Sequence, residues 1–270
     1  MAHAITLIPG DGAGPALTGV TRRVLEATGV AFDWDEPPAG EAAWASVRRT
    51  KVALRAPAPA DAGLDGFFAR VRPCKAFEGA RTRFPETDLV VVGGAGDDER
   101  VLRAAFDYAR ETGREKVTGI GAAGATVARD YAGIEYEADE VDGLCCRLLA
   151  EPAAYDVLAV PGAPGDLVAD LAAGMIGGPG LAPGVHVGED ARVFEPARGP
   201  GDNPTGLLLS GGLMLRHLGE AEAAERMESA IAGVIRRGET VTYDLKPTPN
   251  DPAAVGTEQF ADAVIQEMNT

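Results

Sequence analysis

Short apolar runs alternate along the chain with segments of helical periodicity. The clearest runs occupy residues 4–8, 88–92 and 157–160, and each leads into a glycine-containing turn. Apolar runs of this length, bounded by turns, are typical of buried strands. Between them, residues 16–28 and 98–112 place apolar side chains on one helical face. This alternation favours an α/β fold whose central sheet is parallel or mixed.

The charge and the cysteine content exclude several classes of partner and compartment. The chain of 270 residues has a net charge of −16 and a pI near 4.6. Nucleic acids and anionic membranes bind basic surfaces, so we expect neither as a partner. Three cysteines without framework spacing, no signal peptide and no apolar run of membrane-spanning length together predict a cytoplasmic protein.

One stretch combines a buried strand with a pair of acids. Residues 157–171 are typical of a strand, a turn of proline and glycine, and a helix that carries Asp166 and Asp170. Residues four positions apart share one face of a helix, so these two carboxylates lie side by side. Carboxylate oxygens in this arrangement suit Mg²⁺ or Mn²⁺. The alternative is two solvated acids near a helix start, where the helix dipole favours negative charge.

Two other pairs of side chains are candidates for chemistry. Arg70 and Arg72 fit a carboxylate or a phosphate, or else they form surface salt bridges. Cys145 and Cys146 act as nucleophiles if they are present as thiolates, and as buried structural thiols otherwise. No set of serine, histidine and aspartate can be assembled from the order of the residues.

A series of motifs follows along almost the whole chain: 8–15 (IPGDGAGP), 68–73 (FARVRP), 141–142 (VD), 165–171 (GDLVADL), 193–196 (VFEP), 203–210 (NPTGLLLS), 214–219 (MLRHLG) and 256–260 (GTEQF). Their types and order resemble the isocitrate/isopropylmalate dehydrogenases, a family of metal-dependent β-decarboxylating dehydrogenases. The resemblance implies a shortened isopropylmalate-dehydrogenase-like α/β fold, with a mixed central sheet flanked by helices. It also implies a larger, formerly nucleotide-binding domain (1–88 and 195–270) and a smaller domain (89–194) that contributes the acidic cluster and dimer contacts.

The resemblance implies roles for single residues as well. Arg72 matches an arginine that binds a substrate carboxylate, and Gly199 and Asn203 match the adenosine side of the cofactor site. A homodimer is implied, with the active site shared between subunits and residues 207–218 near the interface. The cofactors implied are NAD and Mg²⁺ or Mn²⁺, and the metal is held by three matching aspartates: Asp142, Asp166 and Asp170.

The main departures from the family pattern are losses of positively charged side chains at the site. The lysine that transfers a proton matches Ala122, and two substrate arginines match Ala62 and Gly93. A tyrosine-bearing segment is replaced by residues 94–98, and the cofactor loop is cut to residues 197–202. Alanine cannot transfer a proton, and arginine contacts to carboxylates are strong. These losses therefore predict a roomier and less polar pocket.

We accordingly interpret the chain as a repurposed member of the family that performs non-redox chemistry. The predicted reaction is double-bond isomerisation or ring closure on a largely apolar, unsaturated acyl substrate, either free or held on a carrier. One carboxylate among Asp142, Asp166 and Asp170 would shuttle a proton, and Arg72 would anchor a carbonyl or carrier group. Two alternatives stay open: an NAD-dependent decarboxylating dehydrogenase of a hydroxy acid, and a non-catalytic partner subunit. Binding of NAD or of a metal is left open too.

Overall fold

The computed structural model describes residues 1–57, 63–94, 98–121, 123–197, 201–248 and 250–270. The strands are β1 (His3–Ile8), β2 (Phe32–Asp35), β3 (Val52–Arg55), β4 (Phe67–Lys75), β5 (Asp88–Gly94), β6 (Lys116–Ile120), β7 (Glu135–Asp139), β8 (Val157–Pro161), β9 (Val185–Gly188) and β10 (Arg192–Phe194). The helices are α1 (Gly14–Ala27), α2 (Glu41–Thr50), α3 (Asp98–Thr112), α4 (Gly124–Val127), α5 (Val141–Ala150), α6 (Pro164–Met175), α7 (Thr205–His217), α8 (Ala221–Arg237) and α9 (Thr257–Met268).

The strands of the described residues join one mixed sheet. Its order is β2-β1-β3-β10-β9-β4-β5-β8-β6-β7. Neighbouring strands are parallel at both ends of the sheet, and antiparallel from β10 through β9 and β4 to β5. Parallel neighbours need a crossover connection, which the intervening helices provide. The prediction of a mixed central sheet flanked by helices is confirmed.

The sheet is continuous across the predicted domain boundary. β9 and β10, which lie at the end of the predicted smaller domain, pair with β4 and β3 from the first part of the chain. The division into a larger and a smaller domain stays a prediction.

The centre of the sheet is buried on both faces. β5 and β8 lie side by side, and their valine, leucine and alanine residues are at most 1% exposed. Both α3 and α6 pack on this pair of strands. Strands covered on both faces have continuous apolar runs rather than alternating ones, which is why the sequence pattern identifies these two so clearly.

The close approach of α6 to the sheet depends on glycine. A Cβ atom at Gly165, in the first turn of α6, would lie 2.4 Å from the carbonyl oxygen of Val160 and 3.1 Å from Cα of Gly93. Both neighbours are backbone atoms, so only a residue without a side chain lets the first turn of α6 rest on β5 and β8. This contact determines where Asp166 and Asp170 lie relative to the sheet.

Much of helix α7 is buried inside the molecule. Its residues Leu207, Leu208 and Leu215 are buried among the surrounding elements. The position of residues 207–218 near a dimer interface stays a prediction. Large exposed apolar side chains occur on α5 and α6, at Leu149 and Leu167.

Among the residues that the structure describes, none of the helices is both long and apolar enough to cross a membrane. The cytoplasmic location stays a prediction.

Candidate active site

Two arginines of β4 face two aspartates of α6. Alternate residues of a strand share a face, as do residues four apart in a helix, so each element presents a pair of like charges. Nη1 of Arg70 donates to Oδ1 of Asp166 at 3.0 Å, and Nη1 of Arg72 donates to Oδ1 of Asp170 at 2.9 Å. We call these four side chains the β4–α6 array.

The two halves of the array differ in exposure. The side chains of Arg70 and Arg72 are 20% and 12% exposed, whereas those of Asp166 and Asp170 are 69% and 71% exposed. Ion pairs with such exposed partners contribute about 0–1 kcal/mol to folding. Stability therefore does not explain the array, and open carboxylates beside shielded guanidinium groups suit the binding of a ligand.

The three aspartates expected at a metal do not meet within one chain. Asp166 and Asp170 present two carboxylates on one helix face, which fits two of the oxygen ligands of Mg²⁺ or Mn²⁺. Asp142 lies in the first turn of α5, and its Oδ1 accepts the N–H of Gly143 at 2.7 Å. The described part of a single chain contains no group of three acidic, histidine or cysteine side chains that could hold a metal ion. The metal-binding roles of all three aspartates stay predictions.

A buried polar cluster lies behind Arg70, and nothing in the sequence pattern pointed to it. His186 on β9 is the register partner of Arg70 on β4, and Nε of Arg70 donates to Nδ1 of His186 at 3.4 Å. Nε2 of His186 lies 3.5 Å from Oε2 of Glu195, and that carboxylate lies 3.3 Å from Nη1 of Arg55. The side chains of His186, Glu195 and Arg55 are almost fully buried. We call these three residues the His186 cluster.

The His186 ring is neutral at pH 7. Burial lowers the pKa of His186 below its ordinary value of 6.5, Glu195 raises it in part, and the charge of Arg70 lowers it again. A neutral ring protonated on Nε2 satisfies both contacts, because Nδ1 accepts from Arg70 while the Nε2 hydrogen points to Glu195. The ring therefore links the guanidinium of Arg70 to the carboxylate of Glu195.

Both polar atoms of the Asn203 side chain form hydrogen bonds within the chain. Asn203 is buried, its Nδ2 donates to Oδ2 of Asp244 at 2.7 Å, and its Oδ1 accepts the backbone N–H of Thr205 at 2.9 Å. The second bond satisfies one of the free N–H groups at the start of α7. Asn203 thus joins the start of α7 to the turn that holds Asp244. Other positions singled out in the sequence lie outside the described residues: Ala62, Ala122 and Gly199.

The glycines at the end of β5 have a structural reason. A Cβ atom at Gly93 would lie 3.3 Å from Cα of Gly165, and a Cβ atom at Gly94 would lie 2.1 Å from the carbonyl oxygen of Phe68. A side chain at Gly94 would collide with β4, and one at Gly93 would require the backbone of α6 to move by a few tenths of an ångström. The absence of an arginine at Gly93 therefore goes together with the close packing of α6.

The three cysteines differ in how deeply they are buried. Cys74 is buried in the core, and burial raises its pKa to about 12, so its thiol stays protonated. Cys145 is partly buried against the core, and Cys146 is exposed on the same helix, α5. A buried thiol behaves as a small apolar residue, which supports the structural interpretation of Cys145.

A large groove lies on the opposite face of the same strands. Its volume is about 1230 Å³, and its lining includes Val71 and Pro73 of β4, Val187 of β9 and parts of α3, α7 and α8. Side chains alternate between the faces of a strand, so this groove is separated by the sheet from Arg70 and Arg72.

The comparisons with known proteins settle the family. A family model described as isocitrate/isopropylmalate dehydrogenase matches residues 95–264. The chain belongs to the isocitrate/isopropylmalate dehydrogenase family. It is 32% identical to the 3-isopropylmalate dehydrogenase of Archaeoglobus fulgidus, over 98% of this chain and 99% of that relative. It is 33% identical to a catalytic subunit of the mitochondrial NAD isocitrate dehydrogenase of Arabidopsis thaliana, over 89% of this chain and 83% of that relative.

Other matches extend the family resemblance to structure and to subunits. The crystal structure of isocitrate dehydrogenase from Methylococcus capsulatus superposes with a TM-score of 0.89 at 31% identity, covering 99% of this chain and 100% of that chain. A regulatory subunit of the mitochondrial NAD isocitrate dehydrogenase of Dictyostelium discoideum is 32% identical, over 97% of this chain and 89% of that relative. The family fold that the resemblance implied is therefore confirmed.

This family member is short. The alignment with the Archaeoglobus fulgidus relative spans 330 positions, whereas the chain has 270 residues. At least 60 positions of that alignment (330 less 270) therefore have no counterpart here. The prediction of a shortened fold is confirmed.

The prediction of non-redox chemistry on an apolar acyl substrate is wrong. The relatives that match most of the chain are named as dehydrogenases or as subunits of one. The β4–α6 array gives a physical reason as well, because it presents two arginines and two aspartates. An apolar chain placed on it would desolvate four charged groups without replacing their hydrogen bonds.

Proposed function

We propose that this chain is a decarboxylating dehydrogenase of a small hydroxy acid, with NAD as hydride acceptor and Mg²⁺ or Mn²⁺ as the cation. The β4–α6 array is the observation that supports the proposal. Its guanidinium groups suit the carboxylates of a hydroxy acid, and its aspartates suit a divalent cation. Relatives named isocitrate dehydrogenase and 3-isopropylmalate dehydrogenase support the same class of reaction.

Asp166 and Asp170 would hold the metal, because their carboxylates are open to solvent and lie on one helix face. A divalent cation held there would supply Lewis-acid stabilisation of negative charge on the substrate. Arg72 binds and orients a substrate carboxylate, and its place on a rigid strand keeps the guanidinium in one position.

The adenosine side of the cofactor site is assigned to Asn203 and Asp244. NAD held there would supply the hydride acceptor of the reaction. The bond from Asn203 holds the half-buried carboxylate of Asp244 in place, and a carboxylate is the group that accepts hydrogen bonds from ribose hydroxyls. The role of Gly199 on this side stays a prediction.

Proton transfer limits the proposed reaction. The family resemblance gives position 122 to a lysine, and this chain has alanine there. In the described array, the bases are the carboxylates of Asp166 and Asp170, and both are paired with arginines. A positioned acid or base contributes about 10²–10⁴-fold to a rate, so we expect slow turnover.

We further propose a homodimer in which Asp142 of one copy completes the metal site of the other. Leu149 and Leu167 expose apolar side chains on α5 and α6, which are the helices that carry the aspartates. Sedimentation should show a dimer, and Leu167→Glu should give monomers with weaker Mn²⁺ binding. A monomeric wild-type chain would contradict this assembly.

A non-catalytic partner subunit is the second candidate. Alanine at position 122 favours it, as does the match to the Dictyostelium discoideum relative, which is named as a regulatory subunit and is 32% identical over 97% of this chain. Such a subunit would bind the hydroxy acid at the array without oxidising it.

Turnover separates the two candidates. The purified chain is mixed with isocitrate or 3-isopropylmalate, NAD and Mn²⁺, and NADH is followed by absorbance. A dehydrogenase forms NADH only with Mn²⁺, and Asp170→Asn abolishes it. The matched control is Asp190→Asn, since Asp190 is equally exposed at 71% but pairs with Lys51 outside the array. Binding of a hydroxy acid without any NADH would support the partner subunit instead.

A further inference from the structure

Arg70 and Arg72 are spaced to bind two separate groups. They lie two positions apart on one face of β4, a rise of about 6.6 Å along a strand. Each guanidinium meets a different carboxylate of α6, Asp166 or Asp170. The two guanidinium groups therefore face two separate carboxylates and are not shared by one.

The charges of the array favour a dianion once a divalent cation is bound. The two guanidinium groups and the two carboxylates of the array cancel. A divalent cation on Asp166 and Asp170 leaves these groups with two excess positive charges. A ligand with two carboxylates neutralises both, whereas a ligand with one carboxylate leaves a positive charge uncompensated.

Arg70 is oriented from behind by the His186 cluster. Its Nε donates to Nδ1 of His186, so the Nη end of the guanidinium is directed towards α6. The His186 ring is held in turn near Glu195, which pairs with Arg55. Because this cluster is buried, it fixes one orientation of Arg70 before any ligand arrives, which lowers the entropy cost of binding.

We propose that Arg70 is a specificity-determining residue that binds the second carboxylate of the hydroxy acid, with His186 as its positioning residue. Arg72 then binds the first carboxylate. The proposal rests on the proposed function for its hydroxy-acid ligand, but it concerns binding and needs no turnover.

The test compares two ligands on the Mn²⁺-loaded full-length chain by isothermal titration calorimetry. Malate is a hydroxy acid with two carboxylates, and lactate is malate without the second one. Arg70→Gln should weaken malate binding about 10- to 100-fold, the usual range for a lost hydrogen bond between charged groups, and change lactate binding less than about 2-fold. The malate affinity of Arg70→Lys should fall between those of wild type and Arg70→Gln, because lysine keeps the positive charge but lacks the two parallel N–H donors of a guanidinium group.

A positioning role for His186 predicts a selective loss as well. His186→Phe should weaken malate binding and leave lactate binding unchanged, which a general loss of structure would not do. Arg48→Gln is the control, since Arg48 is an exposed arginine that pairs with Glu41 on α2. Circular dichroism verifies that each variant is folded.

Equal weakening of malate and lactate in Arg70→Gln would overturn the proposal, as would unchanged malate binding or a wild-type preference for lactate. These outcomes are independent of the proposed dehydrogenase activity. Selective loss of malate binding without any NADH formation would refute the activity but support the role of Arg70. NADH formation by Arg70→Gln with an unchanged KM for the hydroxy acid would support the activity but refute the role of Arg70.

Discussion

Replacing Gly165 by alanine should separate α6 from the sheet that it packs against. The new Cβ atom would lie 2.4 Å from the carbonyl oxygen of Val160 and 3.1 Å from Cα of Gly93. Neither backbone atom can rotate away. The first turn of α6 must therefore shift by about 1 Å to restore an ordinary contact distance of about 3.5 Å.

The cost follows from overpacking, which typically destabilises by about 1–3 kcal/mol. The better helix propensity of alanine offsets about 1 kcal/mol of this. We expect a net loss of up to about 2 kcal/mol in the free energy of unfolding. The melting temperature should fall by about 2–4 °C for each kcal/mol lost. Asp166 follows Gly165 directly, so the same shift should weaken Mn²⁺ binding at the array.

The same helix supplies a matched control. A Cβ atom at Gly174 would have no atom within 4 Å, so Gly174→Ala should stabilise the chain by up to about 1 kcal/mol. Urea unfolding followed by circular dichroism measures both variants, and Mn²⁺ titration measures the site. If Gly165→Ala proved as stable as Gly174→Ala, the packing argument for the position of α6 would be refuted.

Other parts of the chain should respond to pH and to substitution. Stability should fall as the pH drops below about 6.5, because the lowered pKa of His186 gives a contribution that is present above its ordinary pKa of 6.5 and lost as the pH falls through the folded-state pKa. Urea unfolding should show a smaller pH dependence in His186→Phe. Ala122→Lys should raise kcat about 10²–10⁴-fold, and an unchanged kcat would contradict the assignment of proton transfer to this position. Lys246→Met should lower the free energy of unfolding by about 1–3 kcal/mol, because the buried Nζ donates to the carbonyl oxygens of Gly238 at 2.9 Å and Glu239 at 2.8 Å. A decrease below about 0.5 kcal/mol, measured by urea unfolding, would contradict this prediction.

The elements that the sequence predicts best are those with a local signal. β5 and β8 are apolar throughout because helices cover both of their faces. β4 is less obvious, since it carries three charged residues and a proline among nine positions. Its antiparallel pairing with β5 and β9 depends on contacts between distant parts of the chain, which no local pattern encodes.

The candidate site divides in the same way. Asp166 and Asp170 were found from their spacing of four residues, which is a property of one helix. His186, Glu195 and Arg55 come from separate parts of the chain and meet only because β3, β10, β9 and β4 are neighbours in the sheet. The spacing of these residues in the sequence therefore does not predict that they are in contact.

The wrong prediction of non-redox chemistry on an apolar substrate has a related cause. It counted the cations that the family pattern has and this chain lacks, such as the arginine matched by Gly93. It could not show that Arg70 and Arg72 both point at the aspartates of α6, because that depends on how α6 packs on β5. The polarity of a site follows from which charges converge in space, and the number of charges in a motif does not determine it.

The most direct test of the central claim is to measure CO₂ release and NADH formation in one reaction. The full-length chain is incubated with isocitrate or 3-isopropylmalate, NAD and Mn²⁺, and both products are quantified against time. A decarboxylating dehydrogenase forms CO₂ and NADH in equal amounts, and chelation of Mn²⁺ stops both. Absence of both products with every hydroxy acid tried, or NADH without CO₂, would contradict the proposed reaction.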